Sequence, residues 1–412
     1  MKKNISAVAG KKPETVRVNT EEGAKRLRGN VRTFLHRLEA GAAAARERRK
    51  AVAAKSKSVA YYIGIDLGDK RSQHCFVDAS GEIMVEGSLA TTAVEFRAHF
   101  SRIKRSRIGL EVGTHSPWVS ALLEELGHEV YVANPRKMET IRKNRRKNDK
   151  VDAQMLARSV RSNLKALHPI RHRGVEARKD LILLRARDAV VSTRTKLINT
   201  MRGMVKSVGG RLPVCSSRSF HKTDIEKIPG EIRETLQPLL EEIEALTKVI
   251  DEYDKRVSAL ARKRYPETEL LEQVKGVGDL TALAYVLTLE KPERFEKSRD
   301  VGPYTGLVPK QYDSGDSSPQ LRITKTGDRM LRRLLVGSAQ YILGPFGEDS
   351  DLRRHGLKLA ARGGKNAKKR AVVAIARKLA VLLHSLWRSG EVYEPLRQAA
   401  LKQEALPEAV NR

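Results

Sequence analysis

The sequence predicts an α/β domain followed by a mainly helical, all-α portion. Three short apolar runs, YYIGIDLG, QHCFVDA and EIMVEGSL, follow one another within residues 61–89. The turn dipeptides Gly68-Asp69 and Ser80-Gly81 separate them, as expected of consecutive strands. Beyond them strand and helix patterns alternate, and from residue 175 onward apolar residues recur at helical spacing.

The elements follow in order. A helix is expected over 92–104 and a fourth strand in RIGLEV. SPWVSALLEELG reads as a helix with Ser116 as candidate N-cap, Pro117 at the first position and Gly127 as the stop. HEVYVANP is a fifth strand, and KNDKVDAQMLA starts a further helix. Three strands in succession, then helix and strand in alternation, is the order of a ribonuclease-H-like fold. Residues 59–165 form this unit, and residues 166–265 form a helical, coiled-coil segment. There Ile232, Leu236, Leu239, Ile243, Leu246, Ile250, Tyr253, Val257 and Leu260 alternate spacings of four and three. That is an a/d seam of about four heptads. It can pair with the preceding helix near 178–206 or with another protomer, and the reading favours oligomerisation. Pro238 weakens its first turn. Residues 266–395 form a second compact unit. It opens with a helix-hairpin-helix-like element, in which the Gly276-Val277-Gly278 turn offers backbone N–H groups to a phosphate. Residues 1–58 are a basic, flexible extension with a short amphipathic helix at Val31, Phe34, Leu35 and Leu38, and residues 396–412 are a frayed tail.

Charge narrows the function. The chain has 412 residues, with 80 Lys and Arg against 49 Asp and Glu, for a net charge of +31. Such self-repulsion implies a polyanionic partner, and nucleic acid leads. No apolar stretch approaches the ~20 residues that span a bilayer. The only cysteines, Cys75 and Cys215, lack metal-ligand spacing, which fits a reduced compartment.

Within so basic a chain, four acids stand out. Asp66 ends the run YYIGID, Glu111 ends IGLE, and Asp149 and Asp152 lie three apart at the start of a helix. A neighbouring strand can place Glu111 beside Asp66, and residues three apart share a helix face. Converging carboxylates repel unless cations neutralise them. The array therefore implies Mg²⁺ or Mn²⁺, hard ions held by carboxylate oxygen. Two such ions can stabilise the attacking and leaving oxygens of a phosphoryl transfer. Each acid alone reads more simply, Asp66 as a turn residue and Asp149 as a helix cap.

A second constellation is YDSGDSSPQLRITKTGDRMLRR. Serines in such a loop are ordinarily turn formers, and no His/Asp pair accompanies them. Lys310, Arg322, Lys325, Arg329, Arg332 and Arg333 surround the loop and suit phosphate binding or a solvated basic face.

The strings YIGIDLGDKRSQHCF, IGLEVGTHSPWV, NPRKMETIRKNRRKNDKVDAQMLAR, VKGVGDLTALAYVL, YTGLVPKQYDSGD, RITKTGDRMLRRLLV and AVVAIARKLA resemble the DEDD-type insertion-sequence transposases of the IS one-ten type, which include the Piv DNA invertases. The resemblance covers roughly residues 60–390. It implies a RuvC-like nuclease domain, a coiled coil and a C-terminal transposase domain. Asp66, Glu111, Asp149 and Asp152 would be the metal ligands. Ser314 would be a nucleophile forming a covalent phosphoserine link with DNA, with Ser317 and Ser318 as fallback candidates. Asp313 and Asp316 depart from the family pattern, which often has a serine and a glycine there. The resemblance further implies donor and target DNA, a structured guide RNA encoded by the element, a homo-oligomer in which the two sites meet across protomers, and a cytoplasmic, nucleoid-associated location. The competing readings are a RuvC-like Holliday-junction nuclease that activates water with the same acids, and a non-catalytic nucleic-acid-binding protein.

Overall fold

A computed structural model of the chain describes residues 59–134, 148–223, 225–319 and 321–397. The expected helix around Val31–Leu38 and most of the expected tail lie outside the described residues. The described chain divides at Val175 into two compact units.

The first unit is a five-stranded mixed sheet in the order β3-β2-β1-β4-β5. Its strands are β1 (Tyr62–Asp66), β2 (Arg71–Val77), β3 (Ile83–Ala90), β4 (Arg107–Glu111) and β5 (Glu129–Ala133). The first three form an antiparallel meander, and β4 and β5 then add in parallel on the other side of β1. Parallel pairing needs crossover connections, which helices α1 (Ala93–Phe100) and α2 (Ser116–Glu125) supply. Their Phe96, Phe100, Val119, Leu122 and Leu123 bury against Ile63, Ile65, Ile108 and Leu110 on one sheet face. Helix α3 (Asp149–Ser162) covers the other face.

Two local expectations need correction. Helix α1 is shorter than 92–104 because the chain turns at Ser101. His128 explains this: one ring nitrogen takes the Phe100 carbonyl at 3.1 Å while the other accepts from Ser106 N–H at 3.2 Å. Ser116 is not the N-cap of α2 but its first residue. Its hydroxyl instead accepts from Gly113 N–H, donates to Gly113 C=O and meets His172, each at 2.9 Å.

Helix α3 lies unusually close to the sheet. Gly64 and Gly109 are register partners on β1 and β4. A Cβ on Gly64 would fall 1.9 Å from the Ala153 carbonyl oxygen and 2.4 Å from the Ala157 nitrogen. On Gly109 it would meet the Val160 side chain at 2.5 Å. The two glycines make a flat seat that no other residue type supplies.

In the second unit, α4 (Val175–Ser207) and α5 (Gly230–Arg264) form an antiparallel hairpin. Arg187 bonds Asp254, Arg194 bonds Thr247 and Arg264 bonds Asp180, so the numbers rise on one helix as they fall on the other. The seam therefore pairs with the preceding helix of the same chain, not in the first instance with another protomer. Leu236, Ile243, Ile250 and Val257 are buried as expected. The other half of the stripe, however, is Thr247 and Ala261, while Leu246, Tyr253 and Leu260 stay half-buried. A helix of 3.6 residues per turn drifts from a 3.5 repeat, and the polar Arg194–Thr247 contact takes the vacated seam position. Pro238 lies inside the helix, which continues through it.

The hairpin shares one core with the C-terminal helices: Leu181, Leu184, Val257 and Ala261 join the cluster that holds Tyr285, Leu335 and Leu379. These helices are α6 (Glu267–Glu272), α7 (Asp279–Leu289), α8 (Val301–Tyr304), α9 (Arg329–Leu343), α10 (Asp351–Ala360) and α11 (Ala367–Ser389). Helix α7 is buried on all sides from Thr281 to Leu289.

Two outcomes are expected. Gly64→Ala should cost about 3 kcal/mol or more, because the new methyl meets backbone that cannot rotate away, and Gly109→Ala about 1–2 kcal/mol, because Val160 can shift. Hydrogen exchange of the β1 amides in the full chain reads the difference; equal costs would contradict it. The second concerns His74, whose burial, reinforced by His99, lowers its pKa to about 4. The unfolded chain takes up this proton near pH 6.5 and the folded chain does not. Stability from the neutral ring is therefore complete above pH 6.5 and falls as pH drops towards 4, by about 3 kcal/mol. The thermal midpoint of the first unit should follow that slope, and His74→Leu should flatten it.

Candidate active site

Strand register sets two of the four acids. Ile65 faces Leu110 across the parallel β1–β4 pair, so Asp66 and Glu111, one residue on, close neighbouring strands. Side chains alternate between sheet faces. Asp66 shares the face of Gly64, and Glu111 that of Gly109, which is the face α3 covers.

Helix α3 brings the other pair. Asn148 caps it, accepting from Lys150 N–H at 3.1 Å, so Asp149 is the first helical residue and not the cap. The helix runs antiparallel to β1. At its far end Arg161 donates to the Ala79 carbonyl, near the β2–β3 turn. Gln154 donates to Glu86 at 2.6 Å; Glu86 pairs with Cys75, and Cys75 with Gly64. The first turn of α3 therefore extends towards the strand end that carries Asp66. Asp152 sits in that turn and is 3% exposed, whereas Asp149 is exposed. Among the described residues, no three His, Cys, Asp or Glu side chains are gathered closely enough to hold a metal ion. The backbone brings Asp66, Glu111 and Asp152 to one end of one sheet face, and the side chains are not drawn into a cluster.

The serine loop lies in the second unit, on an exposed hairpin arm. Lys310 N–H donates to Arg322 C=O and Thr324 N–H to Val308 C=O, which pairs the two limbs. Ser314 and Ser317 exchange backbone bonds of 3.1 and 3.0 Å around the tip residues Gly315 and Asp316. Gly315 has φ +53° and Asp316 has no positive φ. A tight hairpin turn with glycine only at its first central position has this form. It explains how Asp316 is tolerated where the family pattern has glycine. Residues 311–319 are all exposed.

The arm's base is tightly built. Gly306 and Gly327 have φ of +70° and +74°. A Cβ on Gly306 would lie 2.2 Å from the Thr326 oxygen, and on Gly327 2.0 Å from the Tyr304 oxygen. Arg332 spans the junction, donating to Thr326 C=O at 2.7 Å and Thr305 C=O at 3.1 Å. Arg333 bonds Asp188 on α4. Of the six basic residues read as phosphate contacts, these two are thus engaged within the protein. Lys310, Arg322, Lys325 and Arg329 are exposed and make no ion pair among the described residues. The Gly276 turn between α6 and α7 is present, with φ +95°. The acid Asp279 opens α7 and is held by Arg262 at 2.9 Å.

Comparison with known sequences agrees with this layout. Residues 63–209 match the transposase family model of the DEDD IS110 type, and residues 268–349 match that of the IS116/IS110/IS902 transposase family. The chain belongs to the IS110-type insertion-sequence transposases. Its relatives include the transposase of insertion sequence IS1111A from Coxiella burnetii, 27% identical over 80% of this chain and 90% of the relative. The IS1328 transposase of Yersinia enterocolitica is 28% identical over 68% of this chain and 82% of its own length. A probable family 20 transposase of Pseudomonas aeruginosa is 26% identical over 81% of this chain and 98% of its own. The first match runs from the first unit through α4 of the second, and the second match lies within the second unit: the four acids fall in the first match and Ser314 in the second.

Reading the transposase by sequence missed the clamp at the arm's base. A sign of it was present: the pairs Thr305-Gly306 and Thr326-Gly327 bracket the serine loop. Arg332→Ala should leave two carbonyls without their donor, cost about 1–3 kcal/mol and loosen the arm. Limited proteolysis should then cut faster within 308–324. Arg332→Lys, whose more strongly hydrated ammonium must replace the one guanidinium nitrogen that donates both bonds, should restore only part of the protection; an unchanged cleavage rate in the alanine variant would remove the clamp.

Proposed function

We propose that this transposase is a site-specific DNA recombinase that mobilises its own insertion sequence by serine transesterification. The placement of Ser314 at the tip of an exposed arm carries the reading. A turn-forming serine needs no such projection, whereas a nucleophile that must reach a phosphodiester held elsewhere does. In the first step Ser314 Oγ attacks phosphorus and loses its proton. The Oγ–P bond forms, the P–O3′ bond breaks, and the 3′-oxygen leaves with a proton. A 3′-hydroxyl of the recombining strand then attacks the phosphoserine and releases the serine. No bond energy is lost between the two steps, so ligation needs no external cofactor.

The carboxylates Asp66, Glu111, Asp149 and Asp152 are the residues to hold Mg²⁺ or Mn²⁺. They are hard oxygen donors of the kind these ions take, and register and helix direction bring three of their positions to one sheet end. The bound ion would supply Lewis-acid stabilisation of charge on the phosphoryl oxygens. Lys310, Arg322, Lys325 and Arg329 lie on or beside the arm and suit the phosphates that flank the scissile bond. The acids and the serine belong to different units, and the reading includes a homo-oligomer in which the two sites meet across protomers. A structured RNA encoded by the element pairs with donor and target DNA and supplies the sequence choice, while the protein holds backbone and shape.

The test is direct. Purified protein, element-flanking DNA, candidate RNA and Mg²⁺ are combined, denatured and resolved for protein-linked DNA. A covalent adduct should form, and Ser314→Ala should abolish it. Asp66→Asn should remove the adduct while leaving nucleic-acid affinity within about twofold. Cleavage that persists in Ser314→Ala would identify a water nucleophile, the junction-nuclease chemistry.

A further inference from the structure

The second unit carries another cationic surface, made by elements the serine arm does not use. Helices α10 and α11 cross where a Cβ on Gly356 would meet the Ile375 side chain at 2.7 Å. His355 and Lys358 flank this crossing on α10, Lys378 follows it on α11, and Arg362 lies just beyond the end of α10. All four are exposed. Beside them runs a groove of ≈ 730 Å³. Leu352, Val381 and Leu382 form its apolar floor, and Arg299, Arg377 and Lys378 stand at its rim.

The charges here are not balanced as they are elsewhere. Arg354 is neutralised by Asp349 at 2.6 Å, and Arg397 by Glu391 at 3.0 Å. Lys358, Arg362 and Lys378 make no ion pair among the described residues. Asp351 and Glu394 also line the groove, where Asp351 N–H bonds Pro395 C=O at 2.7 Å. Partial burial first, and then the neighbouring Lys378, Arg362 and Lys358, hold the His355 imidazole below its usual range. Gathering like charges around one ring costs free energy, which an anion at the site offsets.

We propose that the cationic face at the α10–α11 crossing, with the groove beside it, is a binding tract for a nucleic-acid phosphodiester backbone, gripped by Lys378 where it lines the groove and by Lys358 and Arg362 outside its lining, on and just beyond α10. The proposal rests on the reading that the chain works on nucleic acid. Phosphates meet the cationic rim, and the apolar floor suits the sugar or base face of the strand. The tract adds a second hold to the one beside Ser314, so a strand can stay bound while the arm engages and releases its phosphate.

The test uses the full chain and two fluorescent probes, a duplex DNA and a single-stranded RNA of mixed sequence, with affinity measured across salt concentration. The triple variant Lys358→Gln, Arg362→Gln, Lys378→Gln should lower the slope of log affinity against log salt by about 2 to 3 for the probe that occupies the tract. Which probe responds identifies the strand. A control variant, Lys206→Gln, Lys255→Gln, Lys263→Gln, removes the same charge from exposed positions of the α4–α5 hairpin and should leave the slope unchanged. The charge-keeping Lys358→Arg, Lys378→Arg variant should bind as the parent does. An unchanged slope in the first triple variant, or an equal loss in both, overturns the tract. The adduct assay stands apart: an adduct without a slope change removes the tract alone, and a slope change without any adduct removes only the chemistry.

Discussion

The contact on which the first unit depends is backbone against backbone. The Ala153 carbonyl and Ala157 nitrogen of α3 rest where Gly64 has no side chain, and Val160 rests over Gly109. Any larger residue at position 64 would lift the helix from the sheet. Asp66 and Glu111 follow these glycines by two residues on the same face, so the seat that brings the helix close also fixes which acids it approaches. Packing and chemistry are here one arrangement: the helix buries Leu156 and Val160 and, with the same approach, brings Asp152 to the strand ends.

The second unit solves a different problem. The serine loop projects as an arm, and a projecting loop of exposed residues has little burial to hold it. The arm compensates at its root. Two glycines with positive φ let the limbs meet backbone to backbone, and one guanidinium nitrogen of Arg332 ties both limbs to α9. The two-residue turn at Gly315 and Asp316 holds the tip. Rigidity is thereby concentrated in backbone bonds, which leaves the side chains of residues 311–319 exposed to meet a partner.

The excess of positive charge is distributed by role. Part of it is internal: Arg194 bonds Thr247 inside the hairpin, Arg353 donates to the Ile342 and Gly344 carbonyls at 2.6 Å, and Arg332 and Arg333 hold the arm and α9. Such residues fix geometry and count in the net charge without being offered to a ligand. Lys310, Arg322, Lys325 and Arg329 on or beside the arm, and Lys358, Arg362 and Lys378 at the α10–α11 crossing, make no ion pair among the described residues, and there the charge is available for phosphate.

The strands and most of the helices were legible in the sequence because each is a local pattern. Strands show as short apolar runs between turn residues, and α2 shows through Pro117 and Gly127. The heptad spacing revealed an apolar face on α5 but not its partner, since periodicity says which side of a helix is buried and nothing about what buries it. Pairing with α4, and the replacement of Leu246 and Tyr253 in the seam by Thr247, came from a helix some fifty residues earlier in the chain. The same holds for Arg332, which looks like one more surface cation until its carbonyl partners across the arm are known. By itself the sequence determined the family and the element order. Only the tertiary structure decided that Gly64 and Gly109 seat a helix, that Asp66 and Glu111 close adjacent strands, and which arginines are spent on the fold, because each of these depends on atoms that are distant along the chain and touch only once it has folded.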